Sequence, residues 1–334
     1  MKKVLTVLAV LMMFVSIVFA SGSAEGDGPK VTTLKISISE TPADIKAQLI
    51  NDMIKEMEEL SGGELKFELY CSNELGSLGD VVEQTKIGAN IISGTSGDFY
   101  ATYGAPDIMA TALPYVIKTA DECENLNSSD LFKEWADAIE AESGLKLFNI
   151  GWCSTPRDII SIKPINSVED LSGFKIRIPG AAMDAFFSAL DASTMSMAFS
   201  DVYTSMQQGM IDGAEAGISG LYSYSLQEVG KYVFMSEHSL APAVWSMSSA
   251  VWNSLSEENQ KILVETFEKY SRLYAEKGLE LQQEYIDKMT SEGVTFIYPS
   301  ESDKVAMADA AVKAIASFPE LSEGLSDRIA EAIE

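Results

Sequence analysis

Strand-like and helix-like segments alternate after the first thirty residues, and this order constrains the fold more than any other feature. Apolar and polar side chains alternate over residues 34–39, as in a half-buried strand, and residues 41–60 then place apolar side chains at helical spacing. The pattern continues with a strand over 65–70, a helix over 81–87 and an apolar segment at 91–92. This βαβα order predicts an α/β domain with a largely parallel sheet.

The same kind of pattern returns later in the chain and predicts a second α/β unit. The predicted elements are a helix over 131–143, a strand over 145–152, a strand over 174–178, helices over 182–190 and 200–208, and a strand over 243–251. We expect the last strand to bring the chain back to the first unit. A chain of 334 residues is also longer than one compact core usually holds, which favours two domains.

A single long helix is predicted near the end of the chain. Ser256 is a typical helix-capping residue, and Glu257 and Glu258 place acids in the first turn. Apolar residues then recur at helical spacing as far as about Ser291. A helix of that length is unusual in a globular domain, so we expect it to lie across both domains.

The first twenty residues have the order of a secretory signal peptide. Lys2 and Lys3 precede an apolar run, and small residues follow near Ala20. A retained membrane anchor is the rival interpretation, but the run is shorter than the roughly 20 residues that span a bilayer. No cysteine follows for lipid attachment. We therefore expect residues 1–20 to be removed, residues 21–33 to form a flexible mature start, and the mature protein to be soluble in the periplasm.

The chain is strongly acidic, with 24 basic and 50 acidic residues and a net charge of −26. Removal of Lys2 and Lys3 leaves 22 basic residues and a net charge of −28. Such a surface repels nucleic acid and anionic lipid, so we expect neither as a partner. An anionic ligand would need a local cationic pocket.

Cysteine and histidine usage gives no sign of a metal or a catalytic site. Cys71, Cys123 and Cys153 are widely spaced and odd in number, so we interpret them as structural thiols, with a disulfide between two of them left open. No C-x-x-C pair occurs, and we expect no metal and no cofactor. His238 is the only histidine and is expected to be structural. Asp98 stands where a G-x-S-x-G hydrolase motif would need glycine.

Seven motifs resemble one known family in composition and order. They are K-P-I at 163–165, D-L-S-G-F-K-I-R-I-P at 170–179, A-F-S-D-V-Y-T-S-M-Q-Q-G-M-I-D-G-A-E at 198–215, E-L-G at 74–76, A-L-P-Y-V at 112–116, E-V-G-K-Y at 228–232 and W-N-S-L-S-E-E-N-Q at 252–260. Together they resemble the DctP-type solute-binding proteins of TRAP transporters, over nearly the whole chain after residue 20.

This resemblance implies a two-lobed α/β periplasmic binding protein, not an enzyme, with a hinged cleft and a long helix spanning both lobes. It also implies delivery of a solute to an ion-gradient-driven membrane permease, and we expect a monomer. The expected division is residues 34–154 and 243–282 for lobe I, residues 155–242 and 283–334 for lobe II, and hinge crossings near 153–157 and 241–244. A binding protein of an ATP-driven transporter or of a sensor, and a hydrolase of sugar acids with paired carboxylates, remain alternatives.

The resemblance also implies the ligand contacts. Arg177, in the K-I-R-I-P motif, matches the arginine that clamps the ligand carboxylate in this family, and Arg157 matches a second arginine that often joins it. A guanidinium suits this task because its planar donors match a carboxylate bidentately. Pairing with a local acid is the alternative for both. Phe199 is expected to pack on the ligand's carbon skeleton, and Glu215 is included among the ligand-binding residues.

Two departures from the family pattern bear on the ligand. Ala216-Gly217 stands where many members have asparagine and proline. Thr95 and Ser96 offer hydroxyls where some sialic-acid members have an acid, and both are predicted to bind the ligand. These changes argue against sialic acid. The predicted ligand is a carboxylate, either a sugar acid such as a uronate or a small dicarboxylate.

Overall fold

The computed structural model describes residues 31–153 and 155–334. The predicted signal peptide and most of the predicted flexible start lie outside the described residues. The strands are β1 Thr32–Ser37, β2 Leu65–Tyr70, β3 Ile91–Thr95, β4 Leu145–Trp152, β5 Arg157–Ser161, β6 Lys175–Ile178, β7 Ser193–Ser196, β8 Gly213–Gly217, β9 Tyr232–Phe234, β10 Ala243–Ser248 and β11 Thr295–Ile297.

The helices connect these strands and cover the two sheets that they form. They are α1 Ile45–Leu60, α2 Leu78–Lys86, α3 Ala120–Asn127, α4 Asp130–Ser143, α5 Ala181–Ser188, α6 Val202–Gln207, α7 Ile218–Ser223, α8 Ser249–Trp252, α9 Glu257–Ser291, α10 Glu301–Ala316 and α11 Leu325–Ile333. None of the described helices is long and apolar enough to cross a membrane.

The strands form two sheets. The first has the order β2-β1-β3-β10-β4, with β1 parallel to both its neighbours and β10 antiparallel to both of its own. The second has the order β11-β9-β5-β8-β6-β7, with β5 antiparallel to β9 and β8 and the other pairs parallel. The predicted parallel arrangement is confirmed for β1, β2 and β3, the strands on which it was based, whereas β10 pairs antiparallel with β3 and β4. The chain returns from the second sheet in the opposite direction, so β10 enters the first sheet antiparallel.

The long helix α9 joins the cores of the two sheets. It begins after Ser256, whose hydroxyl accepts a hydrogen bond from the Asn259 N–H at 3.2 Å, and runs to Ser291, as predicted. Phe267 packs into the core beside the first sheet, whereas Met289 packs into the core beside the second. The predicted two-lobed α/β fold with one helix across both lobes is confirmed.

The chain passes from one sheet to the other between β4 and β5 and between β9 and β10, as well as through α9. The final helix α11 packs on α3 and α4, which cover β4 of the first sheet. The Ile333 carbonyl oxygen accepts a hydrogen bond from the Asn125 side chain at 3.0 Å. We therefore propose that the end of the chain belongs with lobe I and that the predicted range 283–334 of lobe II is too long.

The three cysteines are buried and free. The side chain of Cys123 contacts that of Cys153, and this hydrogen bond together with burial raises the pKa of Cys123. No group of three or more histidine, cysteine, aspartate or glutamate side chains is arranged to hold a metal ion within residues 31–153 and 155–334.

Candidate ligand-binding site

A cavity of about 140 Å³ lies between the two sheets and is lined by residues from both lobes. Its walls come from segments that follow the carboxyl ends of β1, β3, β6 and β8. These segments are residues 39–46, 95–96, 179 and 217–220. Ligands of open α/β sheets bind at this end of the strands. The fold therefore places the cavity where a small molecule is expected to bind.

Arg177 is the central cation of the second-lobe wall. It lies on β6 with only 4% of its surface exposed, and its Nε donates a hydrogen bond to the Met197 carbonyl oxygen at 2.9 Å. The guanidinium carbon lies 5.0 Å from the centre of the Phe199 ring. Among the described residues no carboxylate oxygen lies within 4.0 Å of this guanidinium. Burial lowers the pKa of Arg177 to about 10, so it stays positively charged at neutral pH.

Arg157 lies at the start of β5 and also lines the cavity, but its charge is already matched. Its Nε donates to Glu215 Oε2, and its Nη2 donates to Glu215 Oε1 at 2.8 Å and to the Glu215 carbonyl oxygen at 3.1 Å. The pairing is possible because Arg157 and Glu215 lie on the neighbouring antiparallel strands β5 and β8. Arg157 therefore adds little net charge to the cavity.

Glu215 is fully buried behind Arg157 and does not line the cavity. His238 Nε2 lies 3.5 Å from Glu215 Oε2, and His238 Nδ1 lies 2.8 Å from the Ser236 hydroxyl. Burial favours the neutral acid, but Arg157 and His238 outweigh burial and hold the pKa of Glu215 well below its usual range. Burial lowers the pKa of His238. Glu215 thus holds Arg157 in place from outside the cavity lining.

The first-lobe wall contains a second ion pair. Lys46 Nζ donates to Glu40 Oε1 at 2.8 Å, and both side chains line the cavity. Asp44 caps α1 by accepting from the Lys46 N–H at 2.8 Å, and its other oxygen accepts from the Ser223 hydroxyl of the second lobe at 3.4 Å. Burial and the neighbouring Glu40 raise the pKa of Asp44 to about 6.

Two hydroxyl side chains lie at the carboxyl end of β3 in the same wall. Thr95 is 4% exposed, and its Oγ1 is buried without a hydrogen-bond partner among the described residues. Ser96 also lines the cavity, but its hydroxyl donates to Asp98. An unpaired buried hydroxyl costs free energy, so Thr95 is suited to receive a polar group of a ligand.

Hydrogen bonds connect the two sides of the cavity. The Tyr224 hydroxyl donates to the Ser39 carbonyl oxygen, and the Ala182 N–H at the start of α5 donates to Asp98 Oδ2 at 3.4 Å. The Tyr224 ring packs edge-on against Phe199, with ring centres 4.7 Å apart. The two walls are therefore in direct contact beside the cavity.

The structure brings five of the six predicted residues, namely Arg177, Arg157, Phe199, Thr95 and Ser96, to one cavity. Glu215 lies just behind it. Sequence reasoning missed Glu40, Asp44 and Lys46, although one signal was available. Glu40 directly follows the first predicted strand, and Asp44 and Lys46 lie in the first turns of the next predicted helix, which is where the ligand-binding edge of an open α/β sheet lies.

Comparison with known proteins shows similarity over most of the chain. The sequence profile of the family described as bacterial extracellular solute-binding protein, family 7, matches residues 36–320. The sialic acid-binding periplasmic protein SiaP of Vibrio cholerae is 26% identical over 291 residues, which cover 85% of this chain and 88% of that protein.

Two solved structures have closely similar folds. A TRAP periplasmic solute-binding protein from Ochrobacterium anthropi, with bound L-fuconate, has a TM-score of 0.85 and 28% identity over 91% of this chain and 100% of its own. Another, from Fusobacterium nucleatum with bound sn-glycerol-3-phosphate, has a TM-score of 0.85 and 26% identity over 91% and 97%.

Proposed function

Because this chain belongs to the bacterial extracellular solute-binding proteins of family 7, we propose that it captures an organic acid by its carboxylate and delivers it to a TRAP membrane permease. The single observation that carries the carboxylate assignment is Arg177. Its guanidinium is buried in the cavity wall, yet no carboxylate of the described residues pairs with it. A buried charge without a partner is costly, so a ligand carboxylate is the natural counterion.

The geometry gives each neighbouring residue a role in this proposal. Nε of Arg177 is held by Met197, which leaves Nη1 and Nη2 as a planar fork for two carboxylate oxygens. Phe199 lies under the guanidinium and fixes its plane. Arg157 supplies further donors at the same wall, and Glu215 acts as a positioning residue that holds Arg157 in place.

The cellular setting is also part of the proposal. Removal of residues 1–20 would release the mature chain into the periplasm, where a net charge of −28 would keep it soluble and, we propose, monomeric. We further propose that the chain binds its solute without chemical change. The closed cavity, held by Tyr224 and Asp98 contacts between the lobes, would be the form that a permease recognises as loaded.

Substitution of Arg177 tests this proposal. The solute is first identified by mass spectrometry of acids that co-purify with the protein, and its affinity is then measured by calorimetry. We expect Arg177→Ala to abolish tight binding, because a charge-assisted and partly desolvated contact is worth roughly 2–5 kcal/mol, or about 30- to several-thousand-fold in affinity. Arg177→Lys should retain only a weak remnant, since an ammonium is a point charge.

Arg272 provides the matched control. It is an exposed arginine on α9 that pairs with Glu124 at 3.1 Å and does not line the cavity. Arg272→Ala should leave the affinity unchanged. A folded Arg177→Ala protein that binds the acid as tightly as the natural protein would refute the carboxylate assignment.

A further inference from the structure

The charged side chains that line the cavity give its two walls different net charges, and membership of the family does not determine this difference. The second-lobe wall presents two arginines, but Glu215 compensates Arg157 through two hydrogen bonds from nitrogen to carboxylate oxygen. Arg177 has no such partner within the described ranges. This wall therefore offers one uncompensated positive charge.

The residues of the first-lobe wall that line the cavity offer no uncompensated positive charge. Lys46 is its only cation among the residues that line the cavity, and its ammonium lies 2.8 Å from Glu40 Oε1. The Lys46 side chain is 7% exposed, so water screens this pair only weakly. Asp44 lies beside the pair and adds acceptor oxygens and, when ionised, negative charge. A second anionic group at this wall would meet two carboxylates and a lysine that is already paired.

The same wall is rich in hydrogen-bond acceptors. Carboxylate oxygens of Glu40 and Asp44 only accept when ionised, and the buried Thr95 hydroxyl, which has no partner in the described part of the chain, can accept or donate. Such a surface complements groups that donate hydrogen bonds. Ligand hydroxyls satisfy it, whereas a carboxylate or a phosphate dianion does not.

We infer that the ligand is a polyhydroxy acid with a single negative charge, bound with its carboxylate on Arg177 and its hydroxyls toward Glu40, Asp44 and Thr95. This inference rests on the proposed function and deepens it. Of the two ligand classes that the sequence leaves open, it selects sugar acids with one carboxylate and rejects dicarboxylates. It also rejects phosphate esters, although one similar structure contains sn-glycerol-3-phosphate.

Matched pairs of acids test the inference directly. L-Fuconate, L-galactonate and galactarate share their carbon skeleton and differ at the last carbon, which is a methyl, a hydroxymethyl or a carboxylate group. Threonate and tartrate form a four-carbon pair of the same kind. Calorimetry on the full mature chain should give at least tenfold tighter binding of the single-charge acid in any pair that binds.

Glu40→Gln sharpens the test because it is nearly isosteric and removes the carboxylate that pairs with Lys46, so this wall carries one negative charge fewer. The affinity ratio of two-charge to one-charge acid should rise at least tenfold in this variant. Glu140→Gln is the matched control, since Glu140 pairs with Lys146 at the same 2.8 Å and does not line the cavity. The affinity ratio of two-charge to one-charge acid should not change in Glu140→Gln.

The outcomes separate this inference from the proposed function. Galactarate or tartrate binding as tightly as its one-charge partner, or an unchanged ratio in Glu40→Gln, would overturn the single-charge inference and leave carboxylate capture intact. Loss of all binding in Arg177→Ala would still support the proposed function in that case. Failure of every tested acid to bind the unsubstituted protein would overturn both.

Discussion

The two walls of the cavity use charge in opposite ways. On the second-lobe wall, Arg177 is buried, and no carboxylate of residues 31–153 or 155–334 pairs with it. On the first-lobe wall, Lys46 is buried with its counterion Glu40 already in place. The comparison shows that a buried cation by itself does not indicate an anion site. A cation that binds a ligand anion is distinguished by the absence of a paired carboxylate, while the other charged side chains of the walls are paired.

The same distinction applies within the second-lobe wall. Arg157 and Arg177 are both arginines near strand ends, twenty positions apart, and sequence patterns assign them similar roles. The structure gives Arg157 a buried carboxylate and gives Arg177 only a carbonyl oxygen and an aromatic ring. We expect Arg157 to support the shape of the wall and Arg177 to supply most of the attraction.

The largest effect on stability is expected from Glu215→Ala. It would leave Arg157 without its carboxylate in a largely buried wall, and breaking such a pair typically costs 3–5 kcal/mol. Because Arg157 is 21% exposed toward the cavity and retains some hydration, we expect a loss near the lower end, about 3 kcal/mol in the free energy of unfolding. Urea denaturation followed by circular dichroism measures it.

Glu134→Ala provides the contrast for that measurement. Glu134 also pairs with an arginine, Arg328, at 2.6 Å, but the two side chains are 60% and 38% exposed. An exposed pair contributes at most about 1 kcal/mol. Equal losses in Glu134→Ala and Glu215→Ala would show that the Arg157 pair is not the buried support that we describe.

Thr95→Val tests whether the first-lobe wall forms hydrogen bonds with the ligand. Valine has nearly the same shape, and the lost hydroxyl has no partner in the described structure, so the free protein should be no less stable. The affinity for the ligand should fall about 3- to 10-fold, in line with one hydrogen bond. Thr85→Val should lower the stability of the free protein and leave the affinity unchanged. The Thr85 hydroxyl donates to the Val81 carbonyl oxygen at 2.8 Å inside α2, and this hydrogen bond would be lost. Unchanged affinity in Thr95→Val would remove Thr95 from the binding wall.

The smallest effect is expected at the contact between the walls. Tyr224→Phe removes the hydrogen bond to the Ser39 carbonyl oxygen, so the closed form should be less populated and the affinity should fall about 2- to 5-fold. Tyr222→Phe is the control, since its hydroxyl bonds to Glu292 on the surface at 3.3 Å. Small-angle scattering with saturating ligand should show a larger radius of gyration for Tyr224→Phe only. Identical scattering of the two variants would contradict this role.

Local sequence patterns predicted the helices and strands that have a clear capping residue or a regular spacing of apolar residues. The long helix was placed at its observed ends because Ser256 caps it and its apolar positions recur without interruption. The strand Leu145–Trp152 was also placed correctly. By contrast, β5 and β8 were missed, since R-D-I-I-S and G-A-E-A-G are short and lack alternation. Their pairing depends on residues more than fifty positions apart, which no local window contains.

The residues of the candidate site were likewise predictable only where a local motif marks them. The motifs predicted the family, which is confirmed, and pointed to Arg177 through K-I-R-I-P. The partner of Arg157 could not be read from the sequence, because many acids are available and only the β5–β8 register selects Glu215. Glu40 and Lys46 lie more than a hundred residues before Arg177, and only the fold places them across the same cavity.

The orientation of the bound acid tests the central claim most directly. A crystal structure of the mature protein with L-galactonate, or with the one-charge acid that binds most tightly, would measure it. We expect both carboxylate oxygens at about 2.7–2.9 Å from Nη1 and Nη2 of Arg177, and hydroxyls directed to Glu40 and Thr95. A carboxylate bound to Lys46, with hydroxyls against Arg177, would contradict the account.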